Sequence, residues 1–187
     1  MSLVFSNNLR SAYITEIVRT FQRLKPKGYL GRTALQKLVY FCKAIGVPIP
    51  CSYEIYNYGP YSEEVTRSVA ALLADDAISD VSAVNTYSSY KLGGEAGEFD
   101  SEFTEQIAEH QDAIEIIVGA LGDTKPETLE LIATLHFVNA KLFGITGKRP
   151  TEGDVQLDFR SIKGDKFSQE DIDMWYRWLD ECGLLGP

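Results

Sequence analysis

His110, His136 and the three cysteines are the residues of this 187-residue chain most suited to nucleophilic, acid–base or metal chemistry. Their spacing matches no familiar catalytic pattern. Neither histidine belongs to an H-E-x-x-H or H-x-E run, so neither has the neighbour that zinc-assisted hydrolysis or deamination requires. His136 sits between Leu135 and Phe137, where a packed, hydrogen-bonded ring is expected. His110, in Ile107-Ala108-Glu109-His110-Gln111-Asp112, is expected on a solvated helix face. Cys42, Cys51 and Cys182 are odd in number and form no C-x-x-C pair, which predicts reduced thiols, with Cys42 buried and inert. A nucleophile elbow, a P-loop and a dinucleotide glycine motif are all missing, and no carboxylate pair has an apolar setting that would raise one pKa. The expectation is a chain that is not an enzyme, with no catalytic residue, metal ligand set or cofactor.

One constellation does stand out. Tyr53, Tyr56, Tyr58 and Tyr61 crowd around Gly59-Pro60, directly ahead of Ser62-Glu63-Glu64. Tyrosine offers wide apolar area at low entropic cost plus a hydroxyl, which suits a contact surface. The same rings could instead fill the seam between a strand and its helices. Both readings stand on the residues alone.

The elements that must position this turn follow from periodicity. Tyr13, Ile17, Phe21 and Leu24 share one face of a helix from about Asn8 to Leu24. A second helix is predicted from Thr33, where Thr33-Ala34-Leu35-Gln36 fits a capping box. Ser52 to Tyr58 alternates as a short strand, Gly59-Pro60 turns the chain, and Ser62 caps a third helix. Ala77–Val81 and Tyr87–Leu92 read as a hairpin. Gly93-Gly94-Glu95-Ala96-Gly97 reads as the best flexible joint, dividing 1–93 from a C-terminal helical portion, 94–187, packed on the same domain. Helices are predicted near 100–121, 126–143, 151–162 and 168–182, with a second capping box at Thr124-Lys125-Pro126-Glu127 and an N-cap at Ser168. The fold class is α+β and predominantly helical, with helices around a small antiparallel sheet or hairpin in an order that also fits a winged helix.

Charge divides unevenly. Residues 1–50 carry eight Lys or Arg against Glu16 alone, a local charge of +7, while the remainder carries −16, for −9 overall. A basic face could serve an anionic partner, but the acidic remainder repels a phosphate backbone. Residues 62–76, where a winged helix would read bases, hold Arg67 beside Glu63, Glu64, Asp75 and Asp76. Nucleic acid is therefore the disfavoured partner. No apolar run approaches the length of a membrane span, and residues 1–8 lack the basic and apolar regions of a signal peptide, so no membrane association and a cytoplasmic location are expected.

Leu35-Gln36-Lys37-Leu38-Val39-Tyr40-Phe41, followed by Tyr56-Asn57-Tyr58-Gly59-Pro60-Tyr61-Ser62, resembles the Panacea/SocA-like group, and within it the uncharacterised, often phage-associated YwgA-like proteins. Thr128 to Thr134, Lys166-Phe167-Ser168 and Trp175 to Leu185 are similar to the same group. The resemblance implies a non-enzymatic, protein-binding module of antitoxin or proteolytic-adaptor type, with a protein partner such as a toxin. Candidate partner-binding residues are Tyr56, Tyr58, Gly59, Pro60, Tyr61, Gln36, Lys37 and Arg32. A nucleic-acid-binding regulator is the alternative.

Overall fold

Asn8 opens the first helix of the computed structural model, which describes residues 8–82, 87–97 and 103–186. Its side chain accepts from Ser11 N, and α1 (Leu9–Leu24) ends where Pro26 interrupts the ladder. After α2 (Arg32–Ala44) come two three-residue strands, β1 (Glu54–Tyr56) and β2 (Gly59–Tyr61), then α3 (Glu63–Ala74). A second antiparallel pair, β3 (Ile78–Asp80) and β4 (Tyr90–Leu92), precedes α4 (Thr104–Ala108) and α5 (Gln111–Leu121). The C-terminal helices are α6 (Pro126–Thr146), α7 (Glu152–Lys163) and α8 (Gln169–Glu181). Eight helices and two two-stranded sheets among the described residues make this a predominantly helical α+β fold.

Helix α6 explains the architecture. Leu129 to His136 are buried without a break, so this stretch of the helix has no solvent face and must be surrounded. It packs against α2, α7, α8 and β2, while α1 packs on α2, α3, α4, α5 and β4. One hydrophobic core spans both halves of the chain, from Tyr13 and Phe41 to Ile132 and Phe159. In length and hydropathy α6 could cross a membrane, but more than half of its apolar stretch is buried inside the protein, which accounts for that apolarity.

Several local expectations change. Gly59-Pro60 is not the turn. Asn57-Tyr58 turns, Gly59-Pro60-Tyr61 forms β2, and Ile55 faces Pro60 across the pair. Proline lacks a donor but is tolerated in a strand with an unpaired edge. Neither proposed capping box forms: α2 is capped by Gly31 and α6 by Lys125, both without a side-chain bond. Gln36 is unavailable to Thr33 because its amide is committed elsewhere, as described below. The box that does form joins Thr151 and Asp154 at the head of α7, and Ser62 and Ser168 cap α3 and α8. The helix expected near 100–121 breaks at Glu109-His110, and its first residues, with the bend at 83–86, lie outside the described residues.

The glycine joint is pinned. Gly93 N donates to Ala77 O at 3.0 Å, and Gly94 N donates to Asp76 Oδ2 at 3.1 Å. A Cβ on Gly93 would lie 2.0 Å from the Asp76 carbonyl oxygen, so this glycine serves close backbone approach. Gly93→Ala should therefore lower stability by about 1–3 kcal/mol, as overpacking against backbone does. Urea unfolding measures it, and an unchanged midpoint would contradict the assignment.

Candidate functional site

Seven consecutive residues of α2, Leu35 to Phe41, are buried, and each has an internal task. Leu35, Leu38, Val39 and Phe41 enter the core. Gln36 Nε2 donates to Ser62 O at 2.9 Å and to Thr66 Oγ1 at 3.0 Å, while Ser62 N donates to Gln36 Oε1 at 3.2 Å. One side-chain amide thus holds the N-terminus of α3 from both of its polar ends. Tyr40 Oη lies 2.6 Å from His136 Nδ1 on α6. The same ring also bonds the Leu184 backbone. Burial lowers the His136 pKa to about 4, the Leu184 bond opposing slightly, so the ring is neutral near pH 7.

Lys37 is the unusual member. It is 2% exposed, and its Nζ donates to Pro60 O at 2.6 Å. Burial lowers its pKa to about 7, opposed by Glu130 and reinforced by Lys163. Glu130 on α6 is equally buried and accepts from Lys163 Nζ at 2.8 Å and from Lys166 Nζ at 2.8 and 2.9 Å. Lys163 also donates to Asn57 O at 3.0 Å, so α7 reaches the turn of the first hairpin. Three lysines from two ends of the chain and one glutamate therefore surround the base of β1–β2. A buried carboxylate is retained where it is paired and hydrogen-bonded, as Glu130 is by three bonds from two lysines.

Gly59 completes the fit. Its φ is +83°, and an added Cβ would lie 2.6 Å from Thr134 Oγ1 and 3.3 Å from Glu130 O. Thr134 Oγ1 itself donates to Glu130 O at 2.7 Å. The strand can press against α6 only because residue 59 has no side chain.

The candidate partner-binding residues thus separate into two groups. Gln36, Lys37, Gly59 and Pro60 are buried and act as clamp and seat. Tyr56 and Tyr58 are 64% and 63% exposed at the hairpin turn above them. Tyr61 is half-buried, its ring 5.6 Å from that of Tyr56 and its hydroxyl accepting from Thr66 Oγ1 at 2.7 Å. Lys166 Nζ stands 5.6 Å from the Tyr58 ring centroid. Arg32 is exposed apart from this group, 3.4 Å from Ser88 Oγ. Tyr53 turns inward, stacking edge-on with Tyr40 and donating to Gln36 O at 3.3 Å.

Sequence reading missed Glu130, Lys163, Lys166 and Thr134. Glu130 left a signal: an acid inside Leu129-Glu130-Leu131-Ile132-Ala133 must have a cation or a donor set. Its lysine partners are 33 and 36 residues away, beyond any local pattern. His110, expected in solvent, is half-buried with Nδ1 3.1 Å from Tyr13 Oη. Among the described residues no group of three or more His, Cys, Asp or Glu could hold a metal, and Cys42, Cys51 and Cys182 are free thiols.

The N-terminal basic surplus is largely spent inside the molecule. Arg19 pairs with Glu16, Arg23 with Glu115 and Lys25 with Asp123 at 2.5–2.6 Å, while Arg10 donates to Ser68 Oγ and Pro50 O. Two of these contacts, Arg23–Glu115 and Lys25–Asp123, join the basic N-terminal part to the acidic remainder.

No family model matches the chain. A stretch of 43 residues, 23% of the chain, is 42% identical to a protein described as uncharacterized protein YwgA from Bacillus subtilis (strain 168). The matched stretch spans about a quarter (26%) of that protein's length. The likeness is partial and YwgA-like.

Two outcomes follow from the clamp. Gly59→Ala should destabilise by about 2 kcal/mol or more through positive φ and the Thr134 clash, and Thr134→Ala should recover part of that loss. Strict additivity in a double-mutant cycle would refute the contact. The second concerns pH. Between the folded pKa of Lys37, about 7, and the unfolded value, 10.5, the unfolded chain holds more protons at this residue, so stability rises with pH. Relative to Lys37→Met, wild type should gain on the order of 1 kcal/mol per pH unit across that window. Parallel stability curves for the two proteins from pH 7 to 10 would show that Lys37 is not depressed.

Proposed function

We propose that the chain is a non-catalytic protein-binding module of antitoxin or proteolytic-adaptor type, acting in the cytoplasm, with the β1–β2 turn as its contact surface. The observation that supports this reading most is the contrast within the hairpin. Its base is fixed by Lys37, Gln36 and the Glu130 network, while Tyr56 and Tyr58 stand nearly two-thirds exposed above it. An aromatic side chain on an immobilised backbone loses little entropy on binding, which is how contact anchors gain affinity. The half-exposed Lys166 beside Tyr58 adds positive charge, so a partner face that is apolar with an acidic rim is complementary. The motif shared with the Panacea/SocA-like group supplies the antitoxin or adaptor assignment. The lysine with the lowered pKa lies under β2 with its Nζ on a backbone carbonyl, which favours a structural role for it over a nucleophilic one.

The test is paired affinity capture from the native host with wild type and a Tyr56→Ala/Tyr58→Ala variant, together with co-expression beside the product of the neighbouring gene. Both residues are exposed, so the variant should unfold within about 0.5 kcal/mol of wild type. Wild type should retain a specific protein, or relieve toxicity of the neighbouring product, and the variant should lose that by at least about tenfold. Identical capture and identical rescue by both proteins would overturn the surface assignment.

A further inference from the structure

Toward the C-terminal ends of α2 and α6, beyond the hairpin clamp, a cavity of about 460 Å³ opens between these helices and the C-terminal segment 184–186. That volume suits a small organic molecule. Its walls are mainly aromatic, from Tyr40, Tyr53, Phe137 and Phe143, and Leu184 and Leu185 close one side. Lys43 is the one charged side chain on the lining, exposed at the rim with a single bond from Nζ to Ile49 O at 3.0 Å. At the wall, Asn139 is 3% exposed and donates Nδ2 to Leu185 O at 3.0 Å. That bond fixes its amide orientation and leaves Oδ1 buried with no donor. A buried orphan acceptor destabilises a fold unless water or a ligand supplies a proton. His136, also on the lining, has both ring nitrogens committed to Tyr40 and Leu184.

We propose that this cavity binds a small aromatic monoanion, its rings against Phe137 and Phe143 and its anionic group at Lys43. Apolar walls take the ring area, and the rim cation, with no acidic residue on the lining to offset it, selects the charge. This binding site does not depend on the hairpin surface, and its success or failure leaves that reading where it stands.

Anilinonaphthalene sulfonate, which has rings and an anionic group, is the probe, with uncharged N-phenylnaphthylamine as its control. Fluorescence titration of the full chain should show one-to-one saturation, with the sulfonate bound on the order of tenfold more tightly than the neutral probe. Lys43→Gln keeps a donor for Ile49 and should reduce that preference to about unity. Ala140→Trp, from α6 into the cavity, should weaken both probes by at least about tenfold while leaving the thermal midpoint unchanged. Ala44→Trp repeats the blockade from α2 should the first variant fail to fold. Equal affinity for the two probes, or unaltered binding in the folded tryptophan variants, would overturn the proposal. So would sedimentation showing that a second copy covers the cavity and excludes the probe.

Discussion

Lys37 must find an acceptor where there is no water, and much of the molecule is arranged around that requirement. Desolvating an ammonium is costly, and the nearest available oxygen is a backbone carbonyl in another element. Pro60 supplies it. For that carbonyl to reach Lys37, β2 must lie in the angle between α2 and α6, which Gly59 alone permits at its position. The carboxylate that moderates the buried charge, Glu130, then requires its own cations, and α7 and the loop after it bring Lys163 and Lys166. A constraint on one helical residue thereby propagates to the opposite end of the chain.

This propagation joins the parts of the chain on either side of a glycine-rich segment. Residues 93–97 have the composition of a linker, yet Gly93 and Gly94 are bonded to Ala77 and Asp76. Meanwhile α5 and α6 fill the same core as α1 and α2. Charge follows the same plan. Two of the basic N-terminal residues meet the acidic remainder in Arg23–Glu115 and Lys25–Asp123, so part of the asymmetry along the chain becomes pairing across it.

Most helices were legible in the sequence because each repeats its apolar residues at helical spacing, and Ser62 and Ser168 cap where a short polar residue precedes acids. The misreadings share a cause. Thr33-x-x-Gln36 and Thr124-x-x-Glu127 satisfy the local rule for a capping box, but tertiary contacts compete for those side chains, and at Gln36 the two bonds to Ser62 win. Gly59-Pro60 has turn composition, but the docking of β2 on α6 decides where the chain reverses. Lys37 and Arg32 looked equivalent as basic residues of one helix. Burial separates them, and burial is set by α6 and the hairpin, which lie far apart in sequence.

The site was legible to a similar depth. Tyr56 and Tyr58 could be named as candidates from residue type, but their roles rest on which way the hairpin faces. Alternation places Tyr53 on the face opposite Tyr56 and Tyr58, and the docking of β2 on α6 decides which face is buried. With Asn57-Tyr58 turning, Tyr53 joins the Tyr40–His136 cluster and Tyr56 and Tyr58 are left at the surface. The residues of the motif that look most chemical, Gln36 and Lys37, therefore act by fixing the hairpin's direction. Their effect on any partner is exerted through the tyrosines, and a change in them alters what the surface presents without touching the surface itself.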